Sequence, residues 1–142
     1  MRRACAAVVL AALLLTGCGG PSADLFLVER SGPIPGARLT MLVGDGGTVT
    51  CNRGAQKEIS SAQLITGREI ARDLNGPQDD DKGPADRGLT LPPGPGAILR
   101  YDIRSEDGSV AFSDTSRGQP PVFYRVAKYT RDLAKSICGL PR

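Results

Sequence analysis

The chain has no histidine and no tryptophan among its 142 residues. Without an imidazole there is no Ser-His-Asp or Cys-His nucleophile system, no histidine general base and none of the usual catalytic zinc sites. Aromatic side chains are limited to three Phe and three Tyr. That scarcity argues against the stacking platforms used to hold sugars or single-stranded nucleic acid. Long apolar runs are missing too. The longest, Ala4 to Leu15, has about twelve residues where a membrane-crossing helix needs roughly 20. Nor is there an excess of one charge: eighteen Lys and Arg face fifteen Asp and Glu. No basic field of the kind that binds nucleic acid is present.

What the sequence does contain begins with that short apolar run. Arg2 and Arg3 precede it, and Leu15-Thr16-Gly17-Cys18 closes it. A charged n-region, a brief apolar stretch and small residues before the cut are the layout of a secretory leader. Cys5 falls inside the leader and carries no structural meaning. The Leu-Thr-Gly-Cys tetrad resembles the lipobox of bacterial lipoproteins. That resemblance implies cleavage before Cys18 and a diacylglyceryl group on its thiol. Two acyl chains anchor stably where one is marginal. The tether Gly19 to Ala23 then reaches less than about 20 Å when extended, so the domain would stand close to the headgroups.

The expected organisation is therefore a leader at 1–17, a lipidated cysteine and tether at 18–23, and one domain at 24–142. The leader holds two of the basic residues and no acid, so the remainder carries sixteen basic against fifteen acidic residues. Two cysteines remain after Cys18. Outside the cytoplasm, Cys51 and Cys138 are expected to form one disulfide. Closing a loop of about 86 residues contributes on the order of 4 kcal/mol in the chain-entropy account.

Along the domain, Asp24 to Glu29 reads as a strand ending at Ser31-Gly32-Pro33. Ala37 to Val43 alternates, with Leu39, Met41 and Val43 on one face. Gly44-Asp45-Gly46-Gly47 supplies the positive φ of a tight hairpin, and Thr48 to Cys51 returns. Ser60 or Ser61 caps a helix to about Leu74, buried through Leu64, Ile70, Ala71 and Leu74, with Gly67 allowing close approach. Asn75-Gly76-Pro77 ends it. Residues 77–96, dense in Asp, Gly and Pro, read as an exposed flexible loop. Ala97 to Arg104 and Ser109 to Ser113 form a second hairpin around Glu106-Asp107-Gly108. Pro120-Pro121 opens a second helix, with Val122, Val126, Thr130, Leu133 and Ile137 inward. The fold class is α+β: an antiparallel sheet of about four to five strands with two helices on one face. The order also fits a ββα-ββα repeat, in which Ala37-Arg-Leu-Thr and Gly47-Thr-Val-Thr roughly match Ala97-Ile-Leu-Arg and Gly108-Ser-Val-Ala, and it fits equally a coincidence of common hairpin chemistry.

Candidate sites are few. Asp79, Asp80 and Asp81, with Asp86, lack the alternating spacing of a calcium loop and read as a solvated acidic loop. Gly44 to Gly47 lacks the Lys-Ser/Thr of a phosphate loop. No Ser-x-x-Lys occurs, and Glu58 with Glu69 would need a cleft to act as a paired-carboxylate site. Arg117 before the last helix, then Arg125, Lys128, Arg131 and Lys135 on it, form a basic face suited either to solvent or to an anionic surface. Tyr101, Tyr124 and Tyr129 are expected in the core or at its edge. Phe123 and Tyr124, beside Gln119-Pro120-Pro121, are alternatively the rim of a partner site. The contact set is thus Arg117, Tyr124, Arg125, Lys128 and Lys135.

Leu-Thr-Gly-Cys, Ile34-Pro-Gly-Ala-Arg-Leu-Thr40 and Phe112-Ser-Asp-Thr-Ser-Arg-Gly118 together resemble short actinobacterial-type lipoproteins of unassigned function. Leu39-Thr-Met-Leu-Val43 and Thr48-Val-Thr-Cys51 also resemble the Streptomyces subtilisin inhibitor class. The chain departs from that class in its cysteines, its reactive-loop region and its C-terminal segment. The resulting expectation is a lipid-anchored, extracytoplasmic, non-enzymatic binding or accessory domain. It has no cofactor or metal and does not bind nucleic acid. Its partners would be the membrane through its anchor, and an envelope protein or an anionic envelope polymer. The alternatives are a secreted-protease inhibitor, with Gln78 to Gly96 as its reactive loop, and a small envelope hydrolase.

Overall fold

A computed structural model describes residues 23–77 and 81–141. The elements are β1 (Asp24–Ser31), β2 (Leu39–Gly44), β3 (Thr48–Cys51), β4 (Gln56–Glu58), α1 (Ser61–Asn75), β5 (Arg100–Ser105), β6 (Gly108–Ser113) and α2 (Pro121–Ser136). They build one open antiparallel sheet of six strands in the order β4-β3-β2-β1-β5-β6. The α+β class is as expected, with one strand more than the sequence suggested. The extra strand is β4. Its Gln-Lys-Glu is exposed throughout and offers no alternation to read. What creates it is the turn before it: Asn52 and Arg53 both take positive φ, and Gly54 N–H bonds the Cys51 carbonyl at 2.9 Å. That is the mirror-image turn whose twist suits hairpins.

Alternation assigns one sheet face to the core. Phe26 and Val28 on β1, Met41 and Val43 on β2, Tyr101 and Ile103 on β5, and Val110 and Phe112 on β6 are all buried. The register slips between Asp24 and Phe26, a bulge that inserts Leu25. Phe26 meets the ring of Tyr129 edge-on at 6.1 Å. Phe112 stacks between Tyr101 at 5.2 Å and Phe123 at 4.4 Å. All three phenylalanines are therefore spent on the core.

Both helices lie on this face. Ser60 caps α1 in a reciprocal box with Gln63. The helix starts beside the β2–β3 turn, where Ile59 N–H bonds Gly47 O at 3.0 Å. It ends where Asn75 Oδ1 accepts from Ser105 Oγ at 2.7 Å and Asp107 N–H at 3.2 Å. So α1 crosses one end of the sheet. Its buried residues are Gly67, Ile70, Ala71 and Leu74, with Leu64 half-buried. α2 runs back antiparallel: its Arg125 meets Glu69 and Asp73 near the end of α1, and its Tyr129 meets Gln63 near the start. Val122, Val126, Thr130 and Leu133 are buried as their rhythm required, and Ile137 is half-buried.

The two hairpins are not copies of one unit. β2 and β5 both run antiparallel to β1, on opposite sides of it, and therefore point the same way. β3 then lies outside β2 and β6 outside β5, while one core beneath the sheet takes both helices. Viewed from the helix side, the hairpins have opposite hand. No rotation superposes them, so the expected ββα-ββα correspondence reflects common hairpin chemistry.

Residues 77–96 are exposed over most of their described length, and are fastened to the core at two places. Gly83 N–H and Ala85 N–H bond the Asn75 and Leu74 carbonyls, and Gly83, Pro84 and Ala85 are buried. Leu89 and Leu91 exchange backbone bonds with Ala111, and Thr90 bridges it in parallel, which covers the outer edge of β6. Proline and glycine here mark an exposed segment pinned to the core at Gly83 to Ala85 and at Leu89 and Leu91.

Candidate functional site

Cys18 and the expected leader at 1–17 lie outside the described residues. The described chain begins at one end of the sheet. Asp45 N–H bonds Ala23 O at 2.8 Å, and Asp24 faces Gly44 across the ladder. The β2–β3 turn, the β5–β6 turn and α1 share that end.

The expected disulfide is present between Cys51 and Cys138, whose Cα atoms are 5.8 Å apart. It ties the far end of β3 to the residues just after α2. Lys57 Nζ adds a bond to Ile137 O at 2.9 Å in the same region. The closing turn is fixed in turn by Asn52, which exchanges bonds with Thr40 through its N–H and its Oδ1. The bridge fastens the C-terminal segment to the sheet.

The basic face of α2 divides into two groups. Arg125 is committed to α1, reaching Glu69 Oε2 at 3.1 Å through Nη2 and Asp73 through Nη1. Lys128 pairs with Asp132 one turn on, at 2.6 Å. Arg131 and Lys135 are exposed and join no ion pair among the described residues, and neither does Arg117 in the loop before the helix. Tyr124 is 58% exposed, unlike the other two tyrosines, which are buried. At position 124 the helix turns its ring outward, away from the stack that Phe123 joins.

Two recesses of about 380 Å³ flank these elements. One is an apolar groove between the helices, floored by Ala62, Thr66, Tyr129 and Leu133 and rimmed by Arg125, Lys128 and Asp132. The other is polar and lies on the uncovered sheet face, where Glu29, Arg100, Asp102 and Arg104 gather beside Thr90. There Glu29 and Asp102 stand directly opposite on β1 and β5, and Arg100 pairs with Asp102 at 3.3 Å.

Glu58 and Glu69 are not brought to one cleft: Glu58 ends the edge strand, and Glu69 is spent on Arg125. Of the acidic run, Asp79 and Asp80 lie outside the described residues, and Asp86 faces Lys82 at 3.8 Å. Among the described residues no group of three or more acidic or cysteine side chains is placed to hold a metal ion, and no helix is long and apolar enough to cross a membrane.

One residue outside every expected set is Arg30, only 2% exposed. Its Nε bonds Ala37 O at 2.9 Å and its Nη2 bonds Gly36 O at 2.8 Å, which closes the β1–β2 connection around the guanidinium. Burial pushes its pKa below the ordinary arginine value, and the Tyr101 hydroxyl, its cross-strand neighbour, works against that. Tyr129 is pushed up to about 12 by burial. Its hydroxyl donates to Gln63 O at 3.0 Å. The signal for Arg30 was parity: it follows Phe26 and Val28 on the buried face of β1.

No family model matches the chain, and neither the curated proteins nor the solved structures contain a match to it.

Proposed function

We infer that the chain is a lipid-anchored domain on the outer face of the cytoplasmic membrane, working by binding rather than by catalysis. The observation that carries this reading is Leu15-Thr16-Gly17-Cys18 at the end of a short apolar run that follows Arg2-Arg3. The Cys51–Cys138 disulfide supports it, since such bridges persist mainly outside the reducing cytoplasm. The start of β1 at Asp24 supports it as well, leaving only the five residues Gly19 to Ala23 between the acylated cysteine and the sheet.

The absence of histidine and the commitment of Glu69 and Arg125 to each other favour binding over hydrolysis. An inhibitor of substrate-like type needs an exposed, extended reactive loop. The segment proposed for that role has Gly83, Pro84 and Ala85 buried and Leu89 and Leu91 bonded to Ala111, so the accessory reading is preferred.

Metabolic labelling with a palmitate analogue tests the anchor. The full chain should incorporate label and fractionate with membranes, and Cys18→Ser should lose both. Label retained in Cys18→Ser would remove the basis of this reading.

A further inference from the structure

The anchor position and the strand register together assign an orientation and a contact surface. We propose that the domain stands with its β1-start end at the membrane and offers the opposite, basic end to a phosphate-bearing polymer of the envelope. This rests on the anchored reading above.

The end from which the tether leaves is acidic. Asp24, Glu58, Glu106 and Asp107 border it, placed there by the pairings Asp24 with Gly44, Thr48 with Glu58 and Ser105 with Gly108. Its cations are largely taken: Arg68 by Asp45, Arg72 by Asp73 and Lys82 by Asp86. Arg87 and Arg104 enter no such pair among the described residues. The opposite end reverses this pattern. Arg38 precedes β2, Arg53 sits in the β3–β4 turn, and Arg117 follows β6. All three are exposed, and none enters an ion pair among the described residues. Arg131 joins this half, close enough to the buried Arg30 to act on its charge. Lys135 follows one turn later, before the disulfide to Cys51. The acids of this half are largely taken: Asp114 by the backbone N–H groups of Ile98 and Leu99, Asp102 by Arg100 and Asp132 by Lys128, while Glu29 stands opposite Asp102 on the uncovered sheet face.

Lengths decide which surface these cations meet. β1 has eight residues, about 25 Å at the rise of a strand. An inverted pose would lift Asp24 that far above the lipid, beyond the reach of less than about 20 Å that the tether allows. In the upright pose the basic end stands well outside the Debye length of about 8–10 Å, so headgroup charge does not hold it. The partner is therefore outward. A protein partner would call for a buried apolar and aromatic centre. Here the cations occupy separate loop tips and a helix stripe, and the large exposed apolar residues nearby are only Ile98 and Tyr124. Spaced single cations without an apolar centre suit a chain of regularly repeated phosphates.

The test uses the full lipidated chain on phosphatidylcholine vesicles with poly(glycerol phosphate) as probe. Binding should weaken steeply with added NaCl. Combining Arg38→Gln, Arg53→Asn and Arg117→Gln should weaken it by at least about tenfold, through lost phosphate contacts. Arg68→Gln, at the near end, should leave it unchanged. Parent-like binding by the triple variant, or an equal loss in Arg68→Gln, overturns the proposal. Tighter binding of poly-glutamate than of poly(glycerol phosphate) overturns the choice of polymer. For orientation, a fluorophore on Glu106→Cys should be quenched by headgroup quenchers more than one on Arg117→Cys, and the reverse order overturns the pose. If Cys18→Ser stays on membranes while far-end polymer binding persists, the anchor reading falls and the surface stands. If anchoring holds and the triple variant binds normally, the surface alone falls.

Discussion

The hydroxyl of Tyr129 donates to the backbone carbonyl of Gln63 at 3.0 Å, so the middle of α2 is tied to the first turn of α1 by a phenol that burial holds neutral. Because its pKa rises from 10 to about 12 on folding, the unfolded chain loses this proton first. The stabilising contribution is complete below pH 10 and is lost as pH climbs through 12. The two-unit shift corresponds to about 2–3 kcal/mol at the top of that window. Tyr129→Phe should be about 1 kcal/mol less stable than the parent at neutral pH, from the lost hydrogen bond. Between pH 10 and 12 the gap should close and reverse. Urea unfolding at a series of pH values measures this; parallel curves for the two proteins would refute it.

Gly67 faces the same hydroxyl. A Cβ there would lie 2.9 Å from Tyr129 Oη and 3.5 Å from Leu25 Cδ1. In an open helix, Gly to Ala gains about 1 kcal/mol. Here the ring is fixed in the core, so Gly67→Ala is expected to destabilise by about 1–2 kcal/mol, in the range of overpacked sites. In the Tyr129→Phe background, where the offending oxygen is gone, the same substitution should become neutral or stabilising. A double-mutant cycle by thermal or urea unfolding reads the coupling, and simple additivity would show that the close approach is not felt.

The parts of this fold that were legible from sequence are those where local chemistry and tertiary position agree. Thr48 to Cys51 returned as expected because Asp45 to Gly47 force a turn. Ser60 and Gln63 cap α1, and the stripe from Val122 to Leu133 is buried. β4 was not legible, because a Gln-Lys-Glu edge strand owes its conformation to Asn52 and Arg53 in a left-handed turn that neither residue type announces. Residues 81–96 are mostly exposed, as Gly and Pro suggested, but their attachment at Gly83 to Ala85 and at Leu89 and Leu91 had no local signal. Gly83 is required by close backbone approach, since a Cβ there would overlap the Leu74 carbonyl. The contact face was half legible: the charges on α2 could be placed, but not the acids on α1 that claim Arg125.

The disulfide has a separable energetic role. It closes a separation of 87 residues, for which the chain-entropy account gives on the order of 4 kcal/mol. The Cys51→Ser, Cys138→Ser double variant should lose about that much in urea unfolding. The parent's soluble-domain thiols should be unreactive to a thiol reagent until reduced. A loss under about 1 kcal/mol would mean that Asn52 and Lys57 already hold the C-terminal segment in place, and that the bridge adds little.

Arg30 gives the most demanding prediction, because its guanidinium is buried and donates to two backbone carbonyls of the β1–β2 connection. Substituting Met preserves much of the volume but leaves Gly36 O and Ala37 O without their donor, and removes the guanidinium facing Tyr101. A buried polar group left unsatisfied costs about 1–3 kcal/mol, so Arg30→Met is expected to destabilise by about 2–4 kcal/mol in total. Arg30→Lys should recover little of this, since a point ammonium cannot span both carbonyls with the planar fork that Nε and Nη2 present. Equilibrium urea unfolding of the three proteins measures the order. If Met proves as stable as the parent, water must reach the freed carbonyls, and the β1–β2 connection is then held by Leu39 and Ala37 packing alone. If Lys matches Arg, the site needs positive charge and not the fork, and the geometry argued for Arg30 would have to give way to simple charge compensation.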